Sequence, residues 1–564
     1  MPVDFQLDRL RIERFRGIAD FELSFPPATP TYLIGGNNTG KSTLLNAFAL
    51  ALRGGGFHAF TPEEFDFYQP GSGPCSEDFT ISLHFKARTP EQLPAVQGVG
   101  NPIPVYGIRV LGRRRDRGFE HRHVLMDGHG KAITISPRTA LKGDTKEQYR
   151  DHGLGWAQYY ARIDEVRAFL PEVWLLRPDN LEASLYHWKS GPLNRLASIL
   201  SERFLDSSWS FEYDGKQREM PETLEKAHRF LKASVQNFPF WKDELKPRFE
   251  NALSKYLGRA AVVGLVPDVQ SLREWLTQQL AASFSAEAGA PMTPLRVMGS
   301  GWQALARLAA LEVLQQLQSG TQTPVLILFE EPETYLHPHL RRKLRDILEG
   351  LASGGWIVVV STHAPEFVTF RKPQQIVRLW PGSPTPLHGR LLTSGLSQEI
   401  KFQEKLDERG NHEFLFAHRV ILCEGKDDFS AVCTYLEKAQ IDVDGFGVTI
   451  LDLGGVDNMP SYARIARDLK IPWCAITDED FLADGKRNPK TEAVRKELAQ
   501  VVTASDISPT WPTSLESVLG CTTGKATPQW QQIYFARKTM DQINLDYPQF
   551  VQVAESIARW IMHR

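Results

Sequence analysis

The sequence predicts an α/β protein of two parallel-sheet domains in tandem, the first interrupted by a helical insertion. Three observations predict it. The stretch GGNNTGKS, starting at Gly35, stands between a short apolar strand and a long amphipathic helix. Far downstream, two apolar strands end in acids (Glu330, Glu331) and in a histidine (His363). A fresh β–α alternation then begins at Arg419. The 564 residues suffice for two or three domains with proper cores. A hydrophobic share of 42% with 23% charged residues is that of a globular protein, and a net charge of −2 gives no global drive toward nucleic acid. The start, MPVDFQLDRLRIERF, is too charged for a signal peptide, and no apolar run nears the roughly 20 residues of a membrane span. A cytoplasmic protein with no membrane partner is expected. The five cysteines lack close C-x-x-C pairing and read as reduced core thiols.

In chain order, LRIERFRGIADFELSF alternates as strands do, and TYLIGG is a second, shorter strand. Gly35, Gly40, Lys41 and Ser42 then fit G-x-x-x-x-G-K-[ST] without departure. Glycines let backbone N–H groups close around phosphate oxygens, Lys41 reaches the β and γ phosphates, and the Ser42 hydroxyl binds Mg²⁺. Asn38 and Thr43 complete the residues expected around a bound nucleotide. The helix opening at Ser42 turns its positive end to the anion. A chance glycine-rich turn is the bland alternative, and the strand before and helix after speak against it. RVLGRRRDRGFEHRHVLMDGHGKAITI reads as hairpins, with Asp127-Gly128 a turn. Arg113, Arg114 and Arg115 can meet phosphodiesters there, although a solvated loop is the favoured reading. Residues 156–288 turn helical and read as an insertion. Ser300 and Gly301, in GSGWQALARLAALEVL, open another helix and present a second anion-binding end.

TPVLILFEEPETYLHPHLRRKLRDIL begins as a strand buried on both faces, so its acids emerge at the carboxyl end, where open α/β sheets bind ligands. Glu330 is placed to hold Mg²⁺ and Glu331 to orient or activate water. GGWIVVVSTHAPEFV repeats the pattern, and His363 can sense a γ-phosphate. His337 and His339 read as turn and helix-start residues, with no third metal ligand at metal-site spacing. Together these motifs resemble the head domain of ABC-type ATPases, in the branch shared by Rad50, SMC and RecF proteins. The resemblance makes GSGWQ the signature motif, EEPETYLHP the Walker B and D-loop, and His363 the switch histidine. Two departures are Glu330 where the family carries Asp, and a signature short of LSGGQ.

Beyond QQIVRLWPGSPTPLHG, a strand closing into a Pro/Gly linker, the second alternation runs through RVILCEG, DDFSAVCTYLEKAQ, FGVTILDLGG, MPSYARIARDLK and IPWCAITDED. Glu424 ends its first strand, with Asp427 and Asp428 just after, and Asp478, Glu479 and Asp480 end its third. Strand ends on one edge of a parallel sheet converge, so Glu424, Asp478 and Asp480 can face one another. Carboxylates so gathered repel and take up protons unless a cation neutralises them, and oxygen-only ligands select Mg²⁺ or Mn²⁺. Strand-Glu-Gly followed by D-x-D resembles the Toprim domain of topoisomerases, DnaG-type primases and certain nucleases. RVILCEGKDDF looks most like the nuclease branch, with Asp428 as a further acid. By that resemblance Glu516 matches a late acid, and Lys538 is the candidate late lysine, with Lys525 competing.

An ABC-type ATPase head with an inserted helical subdomain, followed by a Rossmann-like Toprim domain, resembles the OLD (overcoming lysogenization defect) family nucleases. The expected division is 1–155 and 289–390 for the ATPase, 156–288 for the insertion and dimerization, 391–414 for a linker and 415–564 for Toprim. The resemblance implies a metal-dependent, ATP-regulated DNA endonuclease of anti-phage defence, using ATP with Mg²⁺ or Mn²⁺ at both sites. It also implies a homodimer or larger homo-oligomer, and a helicase, a retron or no partner at all is compatible with the chain. Two alternatives are a DNA-clamping repair ATPase with a non-catalytic Toprim-like platform, and an ATPase that depletes nucleotides. The first is disfavoured because this chain lacks long heptad arms and keeps the full set of acids, which a platform would not need.

Overall fold

The computed structural model describes residues 6–25, 28–37, 39–52, 63–69, 73–97, 101–115, 118–135, 325–369, 375–380, 411–479, 487–520 and 537–563, with shorter stretches in 159–317 such as 171–178 and 297–317. It divides into two compact units, residues 1–173 with 323–564 and residues 174–322.

In the first unit, Gln6–Phe15 buries Leu7, Leu10, Ile12 and Phe15, and a register shift between Leu7 and Arg9 resets the alternation. It lies in an antiparallel sheet of five strands, ordered Ile18–Ser24, Gln6–Phe15, Asp78–Lys86, Gly107–Arg115 and Gly118–Met126. Arg113 and Arg114 therefore sit on a strand, with Arg114 paired to Glu64 at 2.8 Å. The expected hairpin is real, because Gly107–Arg115 and Gly118–Met126 pair residue for residue. Helix Lys41–Leu52 is apolar nearly all round because it packs between this sheet and a parallel one. There Val325–Glu330, Ile357–Ser361, Thr31–Ile34 and Ile376–Arg378 lie side by side, pairing Glu330 with Ser361 and Ser361 with Leu33. All four are buried on both faces, which accounts for their unbroken apolar runs. Their carboxyl ends share one edge, and this brings residues from the two ends of the unit together.

The second alternation forms a three-stranded parallel sheet with Arg419–Cys423 central, flanked by Val448–Asp452 and Trp473–Ala475. IPWCAITDED is not one strand, as the reading of its sequence has it. Ile476 N–H still donates to Leu422, but the central strand ends at Cys423, so Thr477–Asp478 pairs instead with Thr510–Trp511. The carboxyl-terminal helix Pro548–Met562 buries Phe550, Ala554, Ile557 and Ile561 in this core, and Phe550 stacks on Trp511 with centroids 5.2 Å apart.

The two parallel sheets are joined at Arg378. Its guanidinium is buried and donates to the carbonyls of Leu415 (3.2 Å), Ala417 (2.7 Å) and Leu469 (2.7 Å), and burial pushes its pKa down to about 10. One planar fork thus satisfies three carbonyls that would otherwise be costly to bury.

In the second unit, Trp209–Tyr213 and Lys216–Met220 form an antiparallel hairpin, and helix Ser300–Leu317 exposes Trp302. Most of the region read as helical, 156–288, lies outside the described residues. Among the described residues no helix is long and apolar enough to cross a membrane.

Candidate nucleotide site and candidate metal centre

The first site is built on the carboxyl edge of the larger parallel sheet. Strand Thr31–Ile34 ends in Gly35, whose φ of +142° suits glycine, and a Cβ there would stand 2.2 Å from the Leu379 carbonyl. Gly40, at φ +96°, makes the second such turn into the helix that starts at Lys41. Lys41 is buried and donates to the carbonyls of Gly35 (3.0 Å) and Gly36 (2.7 Å). Burial pushes its pKa down to about 8 against the opposing pull of Glu331, Glu333 and Glu330. The Ser42 hydroxyl donates to the Glu330 carboxylate, although 288 residues separate them in sequence. Thr43 lies in the first turn of the same helix, half-buried. Asn38 lies outside the described residues.

Glu331 follows its strand in a left-handed backbone conformation, φ +44°, with its N–H donating to Ser361 at 2.9 Å. A non-glycine residue pays to be held there, as residues at reactive sites often do. Glu333, which the sequence reading passed over, is the strut of the site. Its carboxylate accepts from the His363 backbone N–H (2.6 Å) and the Thr362 hydroxyl (2.9 Å), so the acid-bearing turn and the histidine-bearing strand end are tied together. Burial raises the Glu333 pKa and lowers that of His363, with nearby Lys41 adding to the second effect. Spacing hid Glu333, since only the fold shows that the third acid of EEPE turns inward. His337 stands just before helix Pro338–Ser353 without a side-chain cap bond, and its ring lies 4.5 Å from that of His339. Ser300 and Gly301 belong to the second unit, in the first turn of helix Ser300–Leu317, where Trp302 and Gln303 N–H donate to Gly299.

The second site lies at the carboxyl edge of the smaller sheet. Glu424 follows the central strand directly, and its carbonyl accepts from Gly455 N–H at 2.7 Å. Asp427 and Asp428 occupy the first turn of helix Lys426–Lys438, where a helix favours negative charge. Trp511 Nε1 donates to Asp428 at 2.8 Å, so a core tryptophan orients an acid of the site. Nothing in its sequence position marked Trp511 for that work. Burial pushes the Asp428 carboxyl up to about 6, with Glu516 adding its repulsion. Asp478 is pushed further, to about 8, by burial first and then by Asp428, Glu424 and Glu516. Glu516 stands in the first turn of Leu515–Val518, capped by Ser514. Asp427 also has a raised pKa, from burial and Glu516.

The fold therefore gathers Glu424, Asp428, Asp478 and Glu516 from three separate stretches of chain. Asp480 and Lys525 lie outside the described residues. Lys538 is engaged by the Asp546 carboxylate and lies 4.9 Å from the Tyr547 ring centre. Among the described residues no group of three or more acids, histidines or cysteines is arranged as a ready-made metal site. The donor set nonetheless fits a hard cation. It is all carboxylate oxygen, and Asp478 Oδ1 and Asp427 Oδ1 are buried with no hydrogen-bond donor among the described residues. A cation would relieve both the repulsion and the orphaned oxygens.

Comparison with known proteins follows the same division. Residues 415–480 match the model of the overcoming lysogenization defect protein-like TOPRIM domain. Residues 9–152 match an AAA domain, and residues 177–369 an AAA domain described as a putative AbiEii toxin of a type IV toxin–antitoxin system. The OLD nuclease of Thermus scotoductus is 26% identical over 196 residues, 32% of this chain and 35% of that protein. The Old nuclease of Escherichia phage P2 is 21% identical over 227 residues, 38% of either chain. The matches thus span little more than a third of these relatives. An Smc head domain from Pyrococcus furiosus aligns over 72% of this chain and all of its own at a TM-score of 0.37 and 12% identity. Matches to AAA domains are thus followed along this chain by a match to an OLD-like TOPRIM domain, and the two relatives it resembles are OLD nucleases.

Proposed function

We propose that the protein is an ATP-regulated DNA endonuclease that hydrolyses phosphodiester bonds at the carboxylate cluster, acting in bacterial anti-phage defence. The observation that carries the reading is the convergence of Glu424, Asp428, Asp478 and Glu516, with Asp478 held far above the ordinary carboxylate range. Keeping repelling acids together costs stability, and the cost is accounted for if they hold Mg²⁺ or Mn²⁺. Such an ion supplies Lewis acidity toward water and the leaving oxygen. The chain's own part is to present carboxylate oxygens at fixed positions, with Trp511 and the first turn of its helix orienting Asp428. Water oxygen adds to phosphorus, one ester P–O bond breaks, and the proton the water loses is balanced by one taken up at the released ester oxygen. Lys538 or Lys525 then balances the negative charge that develops. A nucleic acid is the substrate class, since a phosphodiester backbone is what such a centre attacks, and DNA is the choice that the resemblance implies.

At the other site, Lys41 and the backbone around Gly35 and Gly40 hold the phosphates of ATP, Ser42 and Glu330 hold its Mg²⁺, and Glu331 orients water. His363, against Lys41, reports on the γ-phosphate. Regulation has a physical route. Leu379, whose carbonyl crowds Gly35, adjoins Arg378, and Arg378 grips the chain entering the smaller sheet. A Cβ on Gly36 would also stand 3.1 Å from His418 Nε2, one residue before the strand that carries Glu424. Homo-oligomers through the ATPase and the insertion fit this reading.

Purified protein incubated with supercoiled plasmid and Mg²⁺ or Mn²⁺ tests it. Nicked or linear DNA that depends on the metal and changes in rate with ATP is expected. Intact plasmid under every metal and nucleotide condition, with brisk ATP turnover, would favour a nucleotide-depleting ATPase instead.

A further inference from the structure

Asp478 sits on a strand of two residues that pairs with an equally short one, a slight hold for a carboxylate repelled by three others. A second hold comes from the opposite side. Arg495, on helix Pro489–Val501, donates Nη2 to the Asp478 carbonyl (2.8 Å), Nη1 to the Glu479 carboxylate (3.1 Å) and Nε to the Thr477 hydroxyl (3.4 Å). Three consecutive residues of the acid-bearing strand end are thus gripped by one guanidinium, only 22% exposed. The helix that carries it is anchored. Asn488 caps it, Val494, Leu498 and Val501 are buried on it, and it packs on helix Met459–Asp468.

We infer that Arg495 is a positioning residue for the metal centre, clamping the Asp478 backbone so that the carboxylate stays among the other acids. The inference rests on the nuclease reading above. Two details favour it over a merely structural ion pair. First, Arg495 binds the main chain of Asp478 and not its carboxylate, whose Oδ1 is buried with no donor among the described residues. Second, it draws the Glu479 carboxylate to itself, with Arg487 at 3.3 Å on the same group, so the neighbouring acid points away from competition for the ion. The planar fork reaches three acceptors on three successive residues from three separate nitrogens. A lysine, with one nitrogen, keeps the charge and loses the grip.

The test is Mn²⁺ binding by nucleotide-free protein, read from the paramagnetic resonance of free Mn²⁺, with Glu424→Ala marking the share that belongs to this site. Arg495→Lys and Arg495→Ala should weaken that binding by about tenfold or more, as loss of support behind a metal ligand does. ATP hydrolysis should stay at the parental rate. In plasmid cleavage the half-saturating Mn²⁺ should rise by a similar factor, with the rate at saturation nearly restored in Arg495→Lys. Parental Mn²⁺ affinity in both variants would overturn the inference. So would unchanged affinity with a lower saturating rate, which would put Arg495 on the DNA, or a parallel loss of ATPase and melting temperature, which would make it a general structural arginine. A parental protein that binds Mn²⁺ but leaves plasmid intact removes the nuclease reading and still tests the clamp. One that binds no Mn²⁺ removes both.

Discussion

At the scale of single residues, charge is placed where it costs most, and the cost identifies its purpose. Asp478 has a folded-state pKa raised to about 8. The folded chain keeps a proton there that the unfolded chain releases near its ordinary value of 3.8, so metal-free stability is complete below that value and falls as pH rises toward 8. Asp478→Asn abolishes the loss. Its melting temperature in EDTA should exceed the parent's at about pH 8.5 and match it near about pH 4, as calorimetry would show. A variant that melts below the parent at alkaline pH would contradict the assigned environment. Lys41 and Glu331 divide their labour in the same testable way. Lys41→Ala should abolish ATP hydrolysis without unfolding the chain, whereas Glu331→Gln should bind ATP and turn it over slowly. Failure of Glu331→Gln to bind nucleotide would reverse the roles given to the acids.

At the scale of elements, strand ends do the positioning. The sequence made the parallel strands legible, because burial on both faces writes itself as an apolar run, and the phosphate loop legible, because its glycines are needed for backbone geometry. What it hid were contacts made across the fold. Glu333, Trp511 and Arg495 carry no mark of their own in the sequence, yet each holds a site element through a partner at least 16 residues away. The break at Ile476 was equally invisible, since it follows from where the neighbouring strand ends. Gly35→Ala tests the tightest of these elements. A methyl group would meet the Leu379 carbonyl and oppose a φ of +142°, so nucleotide binding should be lost and the melting temperature lowered. Nucleotide binding within twofold of the parent would mean that the loop has room to shift. Arg378→Met would strand three buried carbonyls, a loss of about 1–3 kcal/mol for each left unsatisfied, measurable by denaturant unfolding.

At the scale of the whole molecule, the two sites stand on the carboxyl edges of two different sheets, joined within one compact unit by Arg378 and by the approach of His418 to the phosphate loop. Separate chemistry with shared mechanics predicts activities that can be severed yet influence each other. Cleavage rates of the parent should respond to ATP and ADP, and in Lys41→Ala that response should vanish. The central claim, that the carboxylate cluster is the nuclease centre, is tested most directly by Glu424→Ala, assayed side by side for plasmid nicking, ATP hydrolysis and melting temperature. No nicking, parental ATP turnover and a melting temperature equal to or above the parent's without metal are expected. A stable Glu424→Ala protein that nicks plasmid at the parental rate would contradict that claim.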